Sequence, residues 1–228
     1  MEKKTFEREL PKGYKVCDVI DAAHGKYAVI LTLLSIVPLV FAIGLLILPF
    51  LLDPSRSIDL EYLISDAARI CFAIGFVLII VYIILHELVH GAVYKKHTGE
   101  KLTYGFALTC AYCGVPKIFT YRKTALAAVL APFIFFNVLL LPALVVCYFY
   151  SIELYIIFGA VFAMHLSGCA GDLYVTYLFL TKYKDDRTLM NDTGPRMAFF
   201  VPTDAEEFDE ATVSFLEQKK AEEAKKKN

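Results

Sequence analysis

The chain of 228 residues is strongly apolar, with 57% hydrophobic residues and a mean hydropathy of +0.55, which exceeds the apolar share of ordinary soluble domains. Its formal net charge of −1 provides no overall basic field, so nucleic acid is not an expected partner. The six cysteines are scattered through mostly apolar surroundings, which predicts buried free thiols and excludes the disulfide framework of a secreted domain. Because the first 26 residues are polar, we expect no cleavable signal peptide.

Four long apolar runs follow the charged N-terminal segment 1–26, in which residues 14–23 fit either a short strand or an interfacial segment. At 1.5 Å per residue, each run is long enough to cross a hydrocarbon core of about 30 Å. The lipid bilayer is therefore an expected partner. The predicted transmembrane helices lie at about 27–52, 70–93, 124–150 and 154–180.

The segments between and after these spans differ in character. Residues 53–69 predict a loop, whereas residues 102–122 are rich in β-favouring side chains and predict a small hairpin that turns near residues 113–116. The tail, residues 181–228, is polar and ends in a predicted solvated helix or disordered stretch. The expected fold class is thus an all-α membrane protein, with four transmembrane helices and a small β-hairpin between helices 2 and 3.

The basic residues are unevenly distributed along the chain. Of the 23 lysines and arginines, 21 lie in the N-terminal segment, in residues 94–123 and in the tail. Because cytoplasmic loops carry an excess of Lys and Arg, this predicts a multi-pass protein of the cell membrane with both termini in the cytoplasm.

The second predicted span ends with the sequence His86-Glu87-Leu88-Val89-His90-Gly91. Residues i and i+4 of an α-helix share one face, so His86 and His90 can hold one metal ion, and Glu87 can take a proton from a metal-bound water. Zn²⁺ suits this chemistry, because it is a Lewis acid that leaves one coordination position open. The alternative is a helix end with polar residues at the headgroup level, but a carboxylate between two imidazoles in a membrane is costly unless it is paired or bound.

A catalytic zinc site needs a third protein ligand. Glu87 and Asp172 are the only acids within the four predicted spans, and Asp172 lies at a depth similar to that of His86 and His90 when the spans are aligned. This predicts Asp172 as the third ligand, the alternative being an acid at a water-exposed helix end.

Two further polar residues lie inside the spans. His165 precedes Asp172 by seven residues on nearly the same helix face, so it is a candidate substitute ligand, a partner of a ligand, a donor to a developing oxyanion, or an interhelical hydrogen-bonding group. Asn137, in the third span, is a candidate for positioning, with interhelical hydrogen bonding as the favoured interpretation.

The remaining histidines and the paired cysteines predict no metal site. His24 and His97 lie outside the spans and are interpreted as surface residues. Cys110 and Cys113 form a C-x-x-C, but a structural zinc site needs two further ligands and a redox motif needs a βαβ context. We interpret them as hairpin residues that face the membrane or the site.

These residues together resemble the site-2 protease class of intramembrane zinc metalloproteases and, more narrowly, a bacterial membrane family described as zincin peptidases. The resemblance covers most of residues 10–200. It rests on the histidine motif in a membrane helix, the hairpin, and an aspartate in a glycine-rich late span. Site-2 proteases take their third ligand from N-x-x-P-x-x-x-L-D-G, whereas this chain has His165-Leu-Ser-Gly-Cys-Ala-Gly-Asp172-Leu, without the Asn, the Pro or the last Gly.

The resemblance implies a metalloprotease-like domain over residues 27–180, zinc held by His86, His90 and Asp172, and cleavage of a membrane protein or peptide. We therefore predict a zinc-dependent intramembrane or membrane-proximal peptidase with Glu87 as general base. The alternative is a metal-binding membrane scaffold or sensor that cleaves nothing; the presence of Glu87 favours the enzyme, since metal binding alone does not require it. Four spans without an evident inverted repeat disfavour a transporter.

Overall fold

The computed structural model describes residues 4–53, 65–107 and 110–225. In chain order the elements are β1 (Phe6–Glu7), β2 (Tyr14–Asp21), α1 (Gly25–Leu52), α2 (Asp66–Thr98), β3 (Thr103–Phe106), β4 (Ala111–Gly114), β5 (Phe119–Tyr121), α3 (Arg122–Tyr150), α4 (Ile152–Gly168), α5 (Ala170–Thr181), β6 (Leu189–Asp192), β7 (Arg196–Pro202) and α6 (Glu210–Lys225).

Four helical stretches are long and apolar enough to cross a membrane, in agreement with the four predicted spans. They are α1, α2, α3, and α4 together with α5. In the most apolar 18-residue segment of each stretch, the protein itself buries only 11% to 44% of the residues. Most of this apolar surface therefore needs lipid around it.

The second helix begins earlier than predicted, at Asp66, because the Ser65 side chain accepts a hydrogen bond from the Ala68 N–H and caps the helix. Part of the predicted loop 53–69 is therefore helical, and its residues 54–64 lie outside the described residues. The helix ends at Gly99, whose φ of 67° allows the left-handed C-cap.

An antiparallel sheet of five strands, in the order β1-β5-β6-β7-β2, corrects the all-α expectation. The protein is mostly helical, at 64%, but its N-terminal segment, the residues before α3 and its tail pair with one another. Of the two alternatives for residues 14–23, the strand is therefore the correct one. Local patterns missed the two-residue β1, which needs a distant partner, and missed β6 and β7 because the tail was interpreted as a polar segment. They placed β5 in the hairpin, whereas it pairs with β1 and β6.

The sheet lies between the membrane helices and α6. On one face, Ile20 and Phe199 pack with Val175 and Phe179 of α5. On the other face, Phe200 stacks edge-on against Phe215 of α6, with ring centroids 5.2 Å apart. The tail helix is thus docked on the sheet along one side, whereas the prediction was a solvated helix or a disordered stretch.

The predicted hairpin is present as β3 and β4, with Thr103 opposite Gly114. Its turn lies earlier than expected: the Ala107 N–H donates to the Cys110 carbonyl over 2.7 Å, and residues 108–109 lie outside the described residues. Residues 115–118, where the turn was expected to end, instead lead the chain from β4 to β5 in the other sheet.

Candidate metal centre

Three potential ligand atoms from two membrane helices form a nearly equilateral triangle. His86 Nε2 lies 3.2 Å from His90 Nε2 and 3.2 Å from Asp172 Oδ2, and His90 Nε2 lies 3.4 Å from the same oxygen. With zinc–ligand distances of about 2.0–2.1 Å, tetrahedral geometry separates neighbouring ligand atoms by about 3.3–3.4 Å. The three atoms therefore fit three corners of a tetrahedral zinc site and leave the fourth corner to water or substrate.

The secondary structure explains how these side chains meet. His86 and His90 are one turn apart on α2, and both are 7% exposed. The fourth span breaks at Cys169, between α4 and α5, so Asp172 lies in the first turn of α5. A carboxylate is favoured there, because the N-terminus of a helix carries a partial positive charge.

The hydrogen bond of His90 leaves its metal-facing nitrogen free. His90 Nδ1 lies 2.8 Å from the backbone oxygen of Ala128, which can only accept, so Nδ1 carries the proton. The lone pair of Nε2 is then directed at the centre of the triangle, as in metal-binding histidines generally.

Glu87 lies beside the triangle and is not one of its corners. Its half-buried carboxylate interacts electrostatically with His90, His86 and Asp172, and it accepts a hydrogen bond from the backbone of Cys113 in β4. The hairpin thus lies directly over the site. Close approach also depends on Gly91, where a Cβ atom would lie 2.0 Å from the Tyr104 hydroxyl of β3.

The two further polar residues predicted inside the spans lie behind the triangle. His165 is fully buried, and its ring nitrogens contact the Tyr82 hydroxyl over 3.0 Å and Asn137 Nδ2 over 3.1 Å. A second group of potential ligands among the described residues combines His86, His165 and Cys169. It competes for His86, and both nitrogens of His165 already have partners, so the triangle with Asp172 is the better donor set.

Sequence reasoning missed Tyr82 and Cys169. The Tyr82 hydroxyl forms a hydrogen bond with His86 Nδ1 over 2.8 Å, and Cys169 Sγ lies 3.6 Å from His165 Nδ1. A usable signal existed, because Tyr82 precedes His86 by four residues and Cys169 follows His165 by four. Each pair must therefore share a helix face or adjoin at a helix end.

The paired cysteines form no metal site within the described part of the chain, where neither belongs to a group of three potential ligands. Burial, together with the nearby carboxylates of Asp192 and Glu87, raises the pKa of the Cys113 thiol to about 12, so the thiolate that binds metal or attacks a substrate is scarce at neutral pH. His24 and His97 are exposed, as expected of surface residues.

A comparison with protein families supports the chemistry of this centre. Residues 79–186 match the model of a family described as "Putative zincin peptidase", and the match contains the histidine motif, the hairpin and Asp172. It does not address the narrower resemblance to site-2 proteases, which stays a prediction. The chain matched none of the curated proteins and none of the solved structures with which it was compared. Over residues 79–186, the chain is thus similar to the zincin-type peptidases that this family model describes.

Proposed function

We propose that the protein is a zinc peptidase that hydrolyses peptide bonds of membrane-associated substrates within or beside the bilayer. The observation that carries this proposal is the triangle of His86 Nε2, His90 Nε2 and Asp172 Oδ2, with edges of 3.2–3.4 Å, on helices able to span a membrane. A zinc ion bound there supplies a Lewis acid for the scissile carbonyl and acidifies a bound water.

Side chains of the protein carry out proton transfer and hold the metal. Glu87, beside the triangle and oriented by the Cys113 backbone, takes the proton from the attacking water and passes it to the leaving amine. His86, His90 and Asp172 hold the metal, and the bond from His90 to the Ala128 carbonyl keeps one imidazole in the correct tautomer. The partly buried centre limits the access of bulk water.

The hairpin offers an edge along which an extended substrate can pair. A carboxylate only accepts hydrogen bonds, so Cys113 gives its N–H to Glu87, and this N–H points away from β3. In an antiparallel pair this orientation recurs every second residue. The N–H of Ala111 therefore also points to the free edge of β4, the edge that does not pair with β3. A substrate strand added there would run past Glu87 and the metal centre.

The decisive experiment separates metal binding from hydrolysis. Purified wild type and Glu87→Gln should both contain about one zinc per chain, whereas His86→Ala and Asp172→Ala should contain much less. Membrane proteomes of cells that express wild type or Glu87→Gln should reveal cleaved substrates. A substrate so defined should be cleaved at least roughly a hundredfold more slowly by the variant, because the general base is lost.

Matched controls are available in the same chain. His97→Ala removes an exposed histidine of α2, and Glu217→Gln neutralises an exposed acid of α6; both should keep zinc and activity. Wild-type cleavage by Glu87→Gln would contradict the peptidase mechanism. Full zinc in all variants, with no cleavage by any, would favour a metal-binding scaffold or sensor.

A proline scan tests the substrate edge. Ala111→Pro removes an N–H from the free edge of β4 without breaking the ladder to β3, so it should slow cleavage while zinc content stays unchanged. Phe106→Pro is the matched control, because Phe106 pairs with Ala111 and its N–H points to the opposite edge of the hairpin. Equal activity of both variants would argue against strand addition at β4.

A further inference from the structure

A buried chain of hydrogen bonds connects the metal centre with α3, and its far end determines the tautomer of His165. Asn137 Nδ2 lies 2.7 Å from the Phe133 carbonyl, which only accepts, so this atom of the amide is the nitrogen. The same nitrogen lies 3.1 Å from His165 Nε2. An amide nitrogen only donates, so Nε2 of His165 must accept. His165 is therefore neutral and carries its proton on Nδ1.

The proton on His165 Nδ1 points to Tyr82. The distance from Nδ1 to the Tyr82 hydroxyl oxygen is 3.0 Å, and His86 Nδ1 lies 2.8 Å from that oxygen on the other side. If His86 binds a metal through Nε2, its proton is also on Nδ1, and Tyr82 accepts two hydrogen bonds. The hydroxyl then needs an acceptor of its own, and Cys169, fully buried, hydrogen-bonds Tyr82.

In this arrangement each ring nitrogen has one role. The Cys169 sulfur lies 3.6 Å from His165 Nδ1 and can only accept from it, because that nitrogen carries the proton. The opposite arrangement, in which Tyr82 donates to His86 Nδ1, would move the His86 proton to Nε2, only 3.2 Å from both His90 Nε2 and Asp172. His86 would then have no lone pair for a metal. The direction of one buried hydrogen bond therefore determines whether the triangle is competent to bind zinc.

We propose that Asn137, His165 and Tyr82 act as positioning residues that hold His86 with its Nε2 lone pair toward the metal. The network assigns His165 a role as hydrogen-bond donor behind the site, and not as the third ligand. This inference rests on the proposed zinc centre. Groups behind the ligands of metal sites typically alter metal affinity by about 10–100-fold.

The first test measures the Zn²⁺ affinity of the purified full-length protein in detergent, by competition with a chromophoric chelator. Tyr82→Phe removes the shared acceptor and His165→Leu removes one donor, so both should bind Zn²⁺ about 10–100-fold more weakly than wild type. His165→Asn, which can place an N–H near the position of Nδ1, should restore most of the affinity. Phe162→Leu, a packing control beside His165, should bind like wild type.

The second measurement uses the unaltered protein, so it does not depend on how variants fold. Nitrogen NMR of protein labelled in histidine should show His165 as the neutral Nδ1–H tautomer in the metal-free state. The Nε2–H tautomer at His165, or wild-type Zn²⁺ affinity in Tyr82→Phe, would overturn the inference. If His86→Ala loses zinc while Tyr82→Phe keeps it, only this inference fails; if His86→Ala also keeps it, the proposed metal centre itself is wrong.

Discussion

Asp192 should make the stability of the protein depend on pH in a direction that its burial determines. Its side chain at the end of β6 is 5% exposed and accepts hydrogen bonds from the Tyr94 hydroxyl, over 2.7 Å, and the Gly194 N–H, over 2.9 Å. Burial raises the pKa of this carboxyl from 3.8 to about 6, although both hydrogen bonds lower it. The folded protein thus holds the proton more tightly than the unfolded chain. The contribution of this group to the free energy of unfolding is fully present below pH 3.8 and is lost as the pH rises through about 6.

The magnitude follows from these two pKa values. Between about pH 5 and about pH 7.5, the linkage relation predicts a loss of about 1.4 kcal/mol in the free energy of unfolding. Asp192→Asn cannot titrate, so the stability difference between wild type and this variant should shift by about 1.4 kcal/mol over that range, to the disadvantage of wild type. Denaturation of both proteins in detergent at each pH measures the shift, and all other titrating groups cancel in the comparison. A constant difference, or a shift in favour of wild type, would refute the reasoning.

Three further predictions follow from single positions. Gly114→Ala should destabilise the protein by about 1–3 kcal/mol in thermal denaturation, since its Cβ would lie 2.3 Å from the Gly194 backbone nitrogen, whereas Gly44→Ala, with nothing within 4 Å, should not. If both termini are cytoplasmic, a cysteine introduced at Ser214 should react with an impermeant reagent only after the cells are opened; labelling of intact cells would contradict the topology. Cys113 should alkylate far more slowly than exposed Cys17 near neutral pH, and equal rates would contradict its burial and raised pKa.

Local patterns in the sequence predicted the features that depend on short-range geometry. Hydropathy alone predicted the four membrane helices, because a span of apolar residues long enough to cross the bilayer has few other stable environments. Helical spacing alone placed His86 and His90 on one face. The scarcity of acids inside the spans pointed to Asp172, which the structure places within 3.4 Å of both histidine Nε2 atoms.

Features that depend on contacts between distant segments required the tertiary structure. The five-stranded sheet joins residues from both ends of the chain with residues 119–121, and a strand of two or three residues has no periodicity to detect. The position of the hairpin turn followed from one backbone hydrogen bond, from Ala107 to Cys110.

The hydrogen-bonding roles of the polar residues behind the site could not be predicted from the sequence either. From the sequence alone His165 had four interpretations, because a histidine can donate, accept or bind metal depending on its neighbours. Asn137 comes from another helix, and its amide nitrogen is identified by the Phe133 carbonyl. Sequence thus determined which residues can carry the chemistry. Only the packing of α2, α3 and α4 determined which atom of each residue faces which partner, because the direction of a hydrogen bond depends on both of its ends.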